Sequence, residues 1–225
     1  MKTEKLINRD TVNMPRRSFL RYAGAGAAGI GVLAAASCKK DPIFNKDSVS
    51  VGSGDTGILN YAYAIEQLTM AFYDDAVNSP YNNISDDEMA LLVDIRNHDT
   101  AHRDVLKGVL GSNAIRLLVT NFSSVNFHDR NSVLSTALIL ANLSVSAYNG
   151  AAVSVKSADN LTLLGKIVSV EARHASVIAN MISKGSFVAS PQVDNNGMDV
   201  ALNFSQSATI ANRYLQNPIV ISGLS

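Results

Sequence analysis

The sequence predicts an all-α protein, an antiparallel four-helix bundle with one long crossover between its second and third helices. Three observations predict it. Four segments of about 25 residues carry apolar side chains at steps of three and four. Two of the three connections are short, and the middle one is about 20 residues long. No segment shows the alternation of a half-buried strand, and the apolar tail stretch Pro218 to Ile221 is too short to build a sheet.

The first segment spans 55–78, with Asp55 as its expected N-cap and Leu59, Ala62, Glu66, Met70, Tyr73 and Val77 on one stripe. Ser79-Pro80 stops it. Ser85-Asp86-Asp87-Glu88 reads as a capping box opening the second helix. Its stripe runs through Leu92, Ile95, Asp99, His102, Leu106 and Val109, and Gly111 ends it. The third helix starts after Asn131 and carries Leu134, Ala137, Ala141, Val145 and Tyr148. The fourth starts near Asp159, carries Leu164, Ile167, Glu171, His174, Ile178 and Met181, and ends by Gly185. Short links make each pair an antiparallel hairpin. A helix of about 26 residues is about 39 Å long, and 20 extended residues reach about 66 Å. The crossover can therefore return along the whole bundle and start the third helix parallel to the second. Residues 186–225 form a tail with a short helix expected between Ser205 and Leu215.

Composition narrows the function. The 225 residues balance 19 Lys+Arg against 19 Asp+Glu, and 47% are hydrophobic, so the chain can bury a core. A single Cys excludes a disulfide framework and Cys-rich metal sites. There is no Gly-rich phosphate loop, no nucleophile elbow and no basic-aromatic patch, so nucleic acid is not an expected partner. The charge is unevenly placed. Residues 1–37 hold six basic and two acidic residues.

That segment reads as an address. Arg16-Arg17-Ser18-Phe19-Leu20 precedes a Gly- and Ala-rich apolar run, and the pattern resembles a twin-arginine export signal. Ala35-Ala36-Ser37-Cys38 resembles a bacterial lipobox, with Cys38 as the lipid-bearing residue. The expected division is a signal over 1–37, a polar tether over 38–54, the bundle over 55–185 and the tail. The implied location is the bacterial cell envelope, at the periplasmic side or as an outer-membrane lipoprotein. The expected partner is a membrane reached through the anchor. A homodimer or another envelope partner is compatible with the sequence.

Beyond residue 37 only Glu66, Glu88 and Glu171 are glutamates. Glu88 belongs to a cap, whereas the other two sit mid-helix on apolar faces. The second and fourth helices share one design: a carboxylate, Asp99 or Glu171, with a histidine, His102 or His174, three residues on. Such a pair faces one way on a helix. Unpaired buried carboxylates are costly. Arg96, Arg103 and Arg173 lie off the stripes, so a divalent ion is the natural counter-charge. Oxygen ligands with imidazole suit iron or manganese. Two readings stay open at this point: metal binding, or a structural remnant whose side chains satisfy one another and water. His98 stands to one side of the stripe. Tyr73 and Tyr148 face inward near the site.

Glu66 within Ala64-Ile65-Glu66-Gln67-Leu68, His98-Asp99-Thr100-Ala101-His102, Ala147-Tyr148-Asn149-Gly150 and Glu171-Ala172-Arg173-His174 resemble the exported ferritin-like domain proteins of bacteria. These are relatives of the ferritin and di-metal carboxylate bundles. The resemblance implies that Glu66 is the single ligand of the first helix and that His102 shares its metal. It implies that Glu171 bridges two metals and His174 serves the second. Two departures matter. Asp99 stands where a Glu is expected, and Ala141 stands where the third helix would place one. The first position keeps Glu66, His102 and shares of Asp99 and Glu171, while the second loses its private carboxylate. At most one ion is expected. Three functions follow: an iron- or manganese-binding module without turnover, a metal-free interaction bundle with a decayed site, or a di-metal oxidase or peroxide-consuming enzyme. The loss at Ala141 weighs against turnover.

Overall fold

A computed structural model describes residues 47–188 and 191–224. Arg16, Arg17 and Cys38, with the signal and anchor expected around them, lie outside the described residues. Four long helices form the bundle: α1 (Gly54–Asn78), α2 (Asp86–Leu110), α3 (Arg130–Ala152) and α4 (Ala158–Ile182). A short strand β1 (Val49–Ser50) precedes them, and α5 (Phe204–Ala211) and β2 (Ile219–Val220) follow. The helices α1 and α2 pair closely, as do α3 and α4, and the long crossover joins the two hairpins.

Local chemistry sets the ends. Ser85 accepts the N–H of Glu88 at 3.2 Å and starts α2. Gly111 closes that helix with φ of 55°, a conformation that costs glycine nothing. Asp129 and Ser157 cap α3 and α4 in the same manner as Ser85. Asp55 does something other than cap its own helix. Its carboxylate accepts the N–H groups of Lys156 and Ser157 at 2.9 and 2.8 Å and the Asn160 amide at 3.1 Å. The N-cap of α1 is Ser53, which makes no side-chain cap bond. Asp55 thus ties the start of α1 to the start of α4, where orphan donors await an acceptor.

The opposite end has its own tie. The Glu88 half of the expected capping box is not formed. Its side chain accepts from Tyr81 Oη at 2.8 Å and from Arg130 Nε at 3.1 Å. Arg130 also reaches the Met181 carbonyl at 2.6 Å, so α2, α3 and α4 are joined.

The core fills the space between. Leu68, Phe72, Leu92, Leu106, Leu140 and Ile178 are fully buried, and each such side chain contributes about 1.5–3 kcal/mol. Helix α1 is buried almost all round from Gly57 to Thr69, not along one stripe. The crossover covers its outer face. Asn60 Oδ1 accepts the Ile115 N–H at 2.9 Å, and Gln67 Oε1 accepts the Leu118 N–H at 2.8 Å. Two buried amides on α1 thereby answer crossover backbone groups that would otherwise lack partners.

The tail covers α3. Leu202 N–H donates to the Ser146 carbonyl at 3.0 Å. A Cβ on Gly150 would lie 1.7 Å from the Leu202 oxygen, so this close approach requires glycine. Tyr61 donates to Ser207 on α5. At the end of the tail β2 pairs in parallel with β1, Val49 opposite Ile219. Val49 and Val51 are buried there, so the chain joins the fold before α1 begins.

Candidate metal centre

The inward carboxylates converge at the middle of the bundle. Glu66 comes from α1, Asp99 and His102 from α2, and Glu171 from α4. One ligand atom from each of the four lies within 4.8 Å of the others. Two ligands on opposite sides of one ion at 2.0–2.2 Å are about 4.2 Å apart. Small side-chain shifts therefore close the cage. Glu66 and Asp99 are 0% exposed and Glu171 is 1% exposed.

His102 Nδ1 lies 2.9 Å from Glu171 Oε1 and 3.7 Å from Glu66 Oε2, but neither contact is aligned as a hydrogen bond. His174 stands outside the set of four. Its Nδ1 lies 3.4 Å from both Asp99 Oδ1 and Glu171 Oε2. Its other nitrogen, Nε2, lies 3.1 Å from His98 Nδ1. The α3 contribution is Tyr148, whose hydroxyl donates to Glu66 Oε1. Ala141 and Ser144 are buried on the same helix but offer the cluster no carboxylate. Tyr73 is buried with its hydroxyl unpartnered.

The decisive feature is what the cluster lacks. Glu66 Oε2, both Asp99 oxygens, Glu171 Oε1 and the Nδ1 atoms of His102 and His174 are buried without a hydrogen-bond partner. Native proteins rarely leave such atoms unanswered. The arginines that flank the site are committed elsewhere. Arg96 lies 3.8 Å from Asp74, Arg103 donates to Asp104, and Arg173 donates to the Ser169 carbonyl. Among the described residues, no Lys or Arg pairs with the cluster.

The protonation pattern follows. Burial, reinforced by the Glu171 charge, pushes Glu66 up to about 7. Burial and the Glu171 charge raise Asp99 well above the carboxylate range. Burial alone would raise Glu171, but the His102 and His174 rings outweigh it and hold it low. Burial alone would lower His102, yet Glu171 and Glu66 raise it to about 9. Without an ion, the cluster neutralises itself by holding protons that an ion would displace.

Mid-helix carboxylate-plus-histidine ligands on a bundle with one long crossover define the class of ferritin-like carboxylate proteins. The ferritin-like domain family matches residues 54–184, and the chain belongs to it. No curated protein matches the chain. Relative to the family's full ligand pattern the site is reduced, with one cluster able to coordinate a single divalent ion.

Sequence reasoning placed His98 to one side and did not find its contact with His174. The two residues are 76 positions apart. The available signal was a second histidine one turn before His102 on a helix whose partner also carries one.

Proposed function

We propose that this protein binds one iron or manganese ion at Glu66, Asp99, His102 and Glu171 and does so without turnover. The observation that carries the reading is the convergence of three buried carboxylates and one partly buried imidazole, most of whose inward atoms lack a hydrogen-bond partner. Three oxygen ligands with one imidazole favour iron or manganese over softer sites. The third helix offers Ala141 and a tyrosine in place of a further carboxylate, which supports one ion and argues against two-metal oxygen chemistry. The same reading takes Cys38 as a lipid anchor and the bacterial envelope as the location, on the strength of the Arg16-Arg17 signal pattern.

Metal content tests it. The chain carrying Cys38→Ser is purified without chelators beside the same chain with Glu171→Ala. About one iron or manganese ion per chain is expected, with loss in the variant. About two ions would overturn the single-site reading in favour of a di-metal enzyme. No metal in either protein, even after anaerobic loading, would leave the metal-free interaction bundle.

A further inference from the structure

We propose that the seam between α2 and α4 is the route by which the ion reaches the cluster, with His98 and His174 as its loading ligands. The inference rests on the single-ion reading above. The inner oxygens are closed to solvent, and the buried rings of Tyr73 on α1 and Tyr148 on α3 lie beside them. A hydrated ion needs an opening. Among the described residues of the cluster, the side chain with appreciable exposure is His102, at 14%. It lies on α2, facing α4, and these two helices are the least closely packed of the neighbouring pairs.

His174 spans this seam. Its Nδ1 edge faces Asp99 and Glu171 at 3.4 Å, and its Nε2 edge faces His98 at 3.1 Å. The His98 side chain is exposed, and its ring plane lies within 5° of parallel to that of His174, with centroids 5.3 Å apart. Two imidazole nitrogens on one tetrahedral ion at 2.0–2.1 Å stand about 3.3 Å apart. The His98–His174 pair is close to that spacing, and a turn of each ring directs both lone pairs onto one ion. An ion that displaces the shared proton is held between the rings, and then needs only to pass to the other edge of His174 to reach the carboxylates. Asp94, one helical turn before His98, adds negative charge to the mouth. A doorway of imidazoles also selects. It favours iron, cobalt or zinc, and manganese less, over magnesium and calcium, which prefer all-oxygen ligands. The carboxylates alone would not make that distinction.

Cobalt(II) uptake, followed by stopped-flow absorption of its visible bands, tests the route. The full chain carrying Cys38→Ser is compared with the same chain carrying His98→Ala or His98→Asn. Asn keeps a hydrogen-bonding atom where His98 has Nδ1 but is a poor ligand for this ion. Both variants are expected to load about tenfold more slowly while final stoichiometry and Kd stay unchanged, because release slows equally. An unchanged loading rate in His98→Ala overturns the proposal. So does recovery of the rate in His98→Asn, which would make His98 a prop that orients His174. If the chain with His98 intact takes up no cobalt, the single-ion reading falls and the route with it. If it binds cobalt and the variants load normally, the route alone falls.

Discussion

Glu88 and the Glu66–Asp99–Glu171 group are carboxylates on the same bundle, within a few turns of one another, and they are treated in opposite ways. Near the bundle end, Glu88 accepts from Tyr81 and Arg130, and Arg130 in turn reaches the Met181 carbonyl. Hydrogen bonding from Arg130 holds Glu88 below the usual carboxylate range. At the middle, three carboxylates share two histidines and one tyrosine, and most of their inward oxygens lack a hydrogen bond. A carboxylate that serves architecture is paired within the chain. The central carboxylates are buried, crowded and left open, at a cost that a bound ion would relieve.

The same chemical change should therefore have opposite consequences in the two places. Asp99→Asn replaces a group that burial and the Glu171 charge push toward its neutral form. Stability of the metal-free protein is expected to stay within about 1 kcal/mol of the parent. Glu88→Gln removes a charge that Arg130 uses, and a loss of about 1 kcal/mol is expected for this partly exposed pair. Metal reverses the ranking. An ion at a hundred times its Kd adds about 2.7 kcal/mol, or roughly 5–10 °C in Tm for a domain of this size. Glu88→Gln should keep that rise and Asp99→Asn should lose most of it. Thermal melts with and without manganese read both numbers. A Glu88→Gln protein that loses the metal response, or an Asp99→Asn protein that keeps it, breaks the comparison.

Acidity separates the two regions with smaller effects. Glu88 has a lowered folded value, so its contribution is complete above the ordinary glutamate range and is lost as pH falls through the folded value. Glu66 is raised to about 7 and His102 to about 9. Both hold protons in the folded state that the unfolded chain releases earlier. Their contributions are present at low pH and are lost as pH rises through 7 and then 9. Metal-free protein should accordingly melt lower at pH 8 than at pH 6. Metal affinity should move the other way, because binding expels those protons. Calorimetric titration in two buffers of different ionisation enthalpy would count them, and a proton count of zero would contradict the pattern.

Much of this was legible in the sequence, and the rest was hidden for one physical reason. Helices α2 and α4 each bury one face, so a stripe with a cap at each end reveals them. The Asp99–His102 and Glu171–His174 pairs are visible because a spacing of three points both side chains inward. Helix α1 misleads because it is buried on two faces, and the second is covered by a crossover whose path no periodicity encodes. Asp55 reads as a local cap yet serves a helix a hundred residues away. Glu88 reads as half of a capping box, but an arginine 42 positions on offers it a stronger, charge-assisted bond. Ser146 and Gly150 give no sign of Leu202, because a backbone contact leaves no side-chain pattern. In each case a partner distant in sequence outcompetes the local rule.

The sharpest test uses two tyrosines in matching roles. Tyr81 donates to Glu88 Oε2, and Tyr148 donates to Glu66 Oε1. Tyr81→Phe leaves Glu88 still held by Arg130, so a cost of about 0.5–1 kcal/mol and no change in metal binding are expected. Tyr148→Phe deletes the bond that answers Glu66 Oε1 and adds that oxygen to a group already short of partners. Its cost to the metal-free protein should be larger, about 1–3 kcal/mol. The hydroxyl also orients Glu66 toward the ion, so affinity should fall about tenfold while stoichiometry holds at one. If both variants lose stability equally and neither changes metal affinity, then Glu66 is an architectural carboxylate like Glu88, and the opening at the centre of the bundle is not a ligand site.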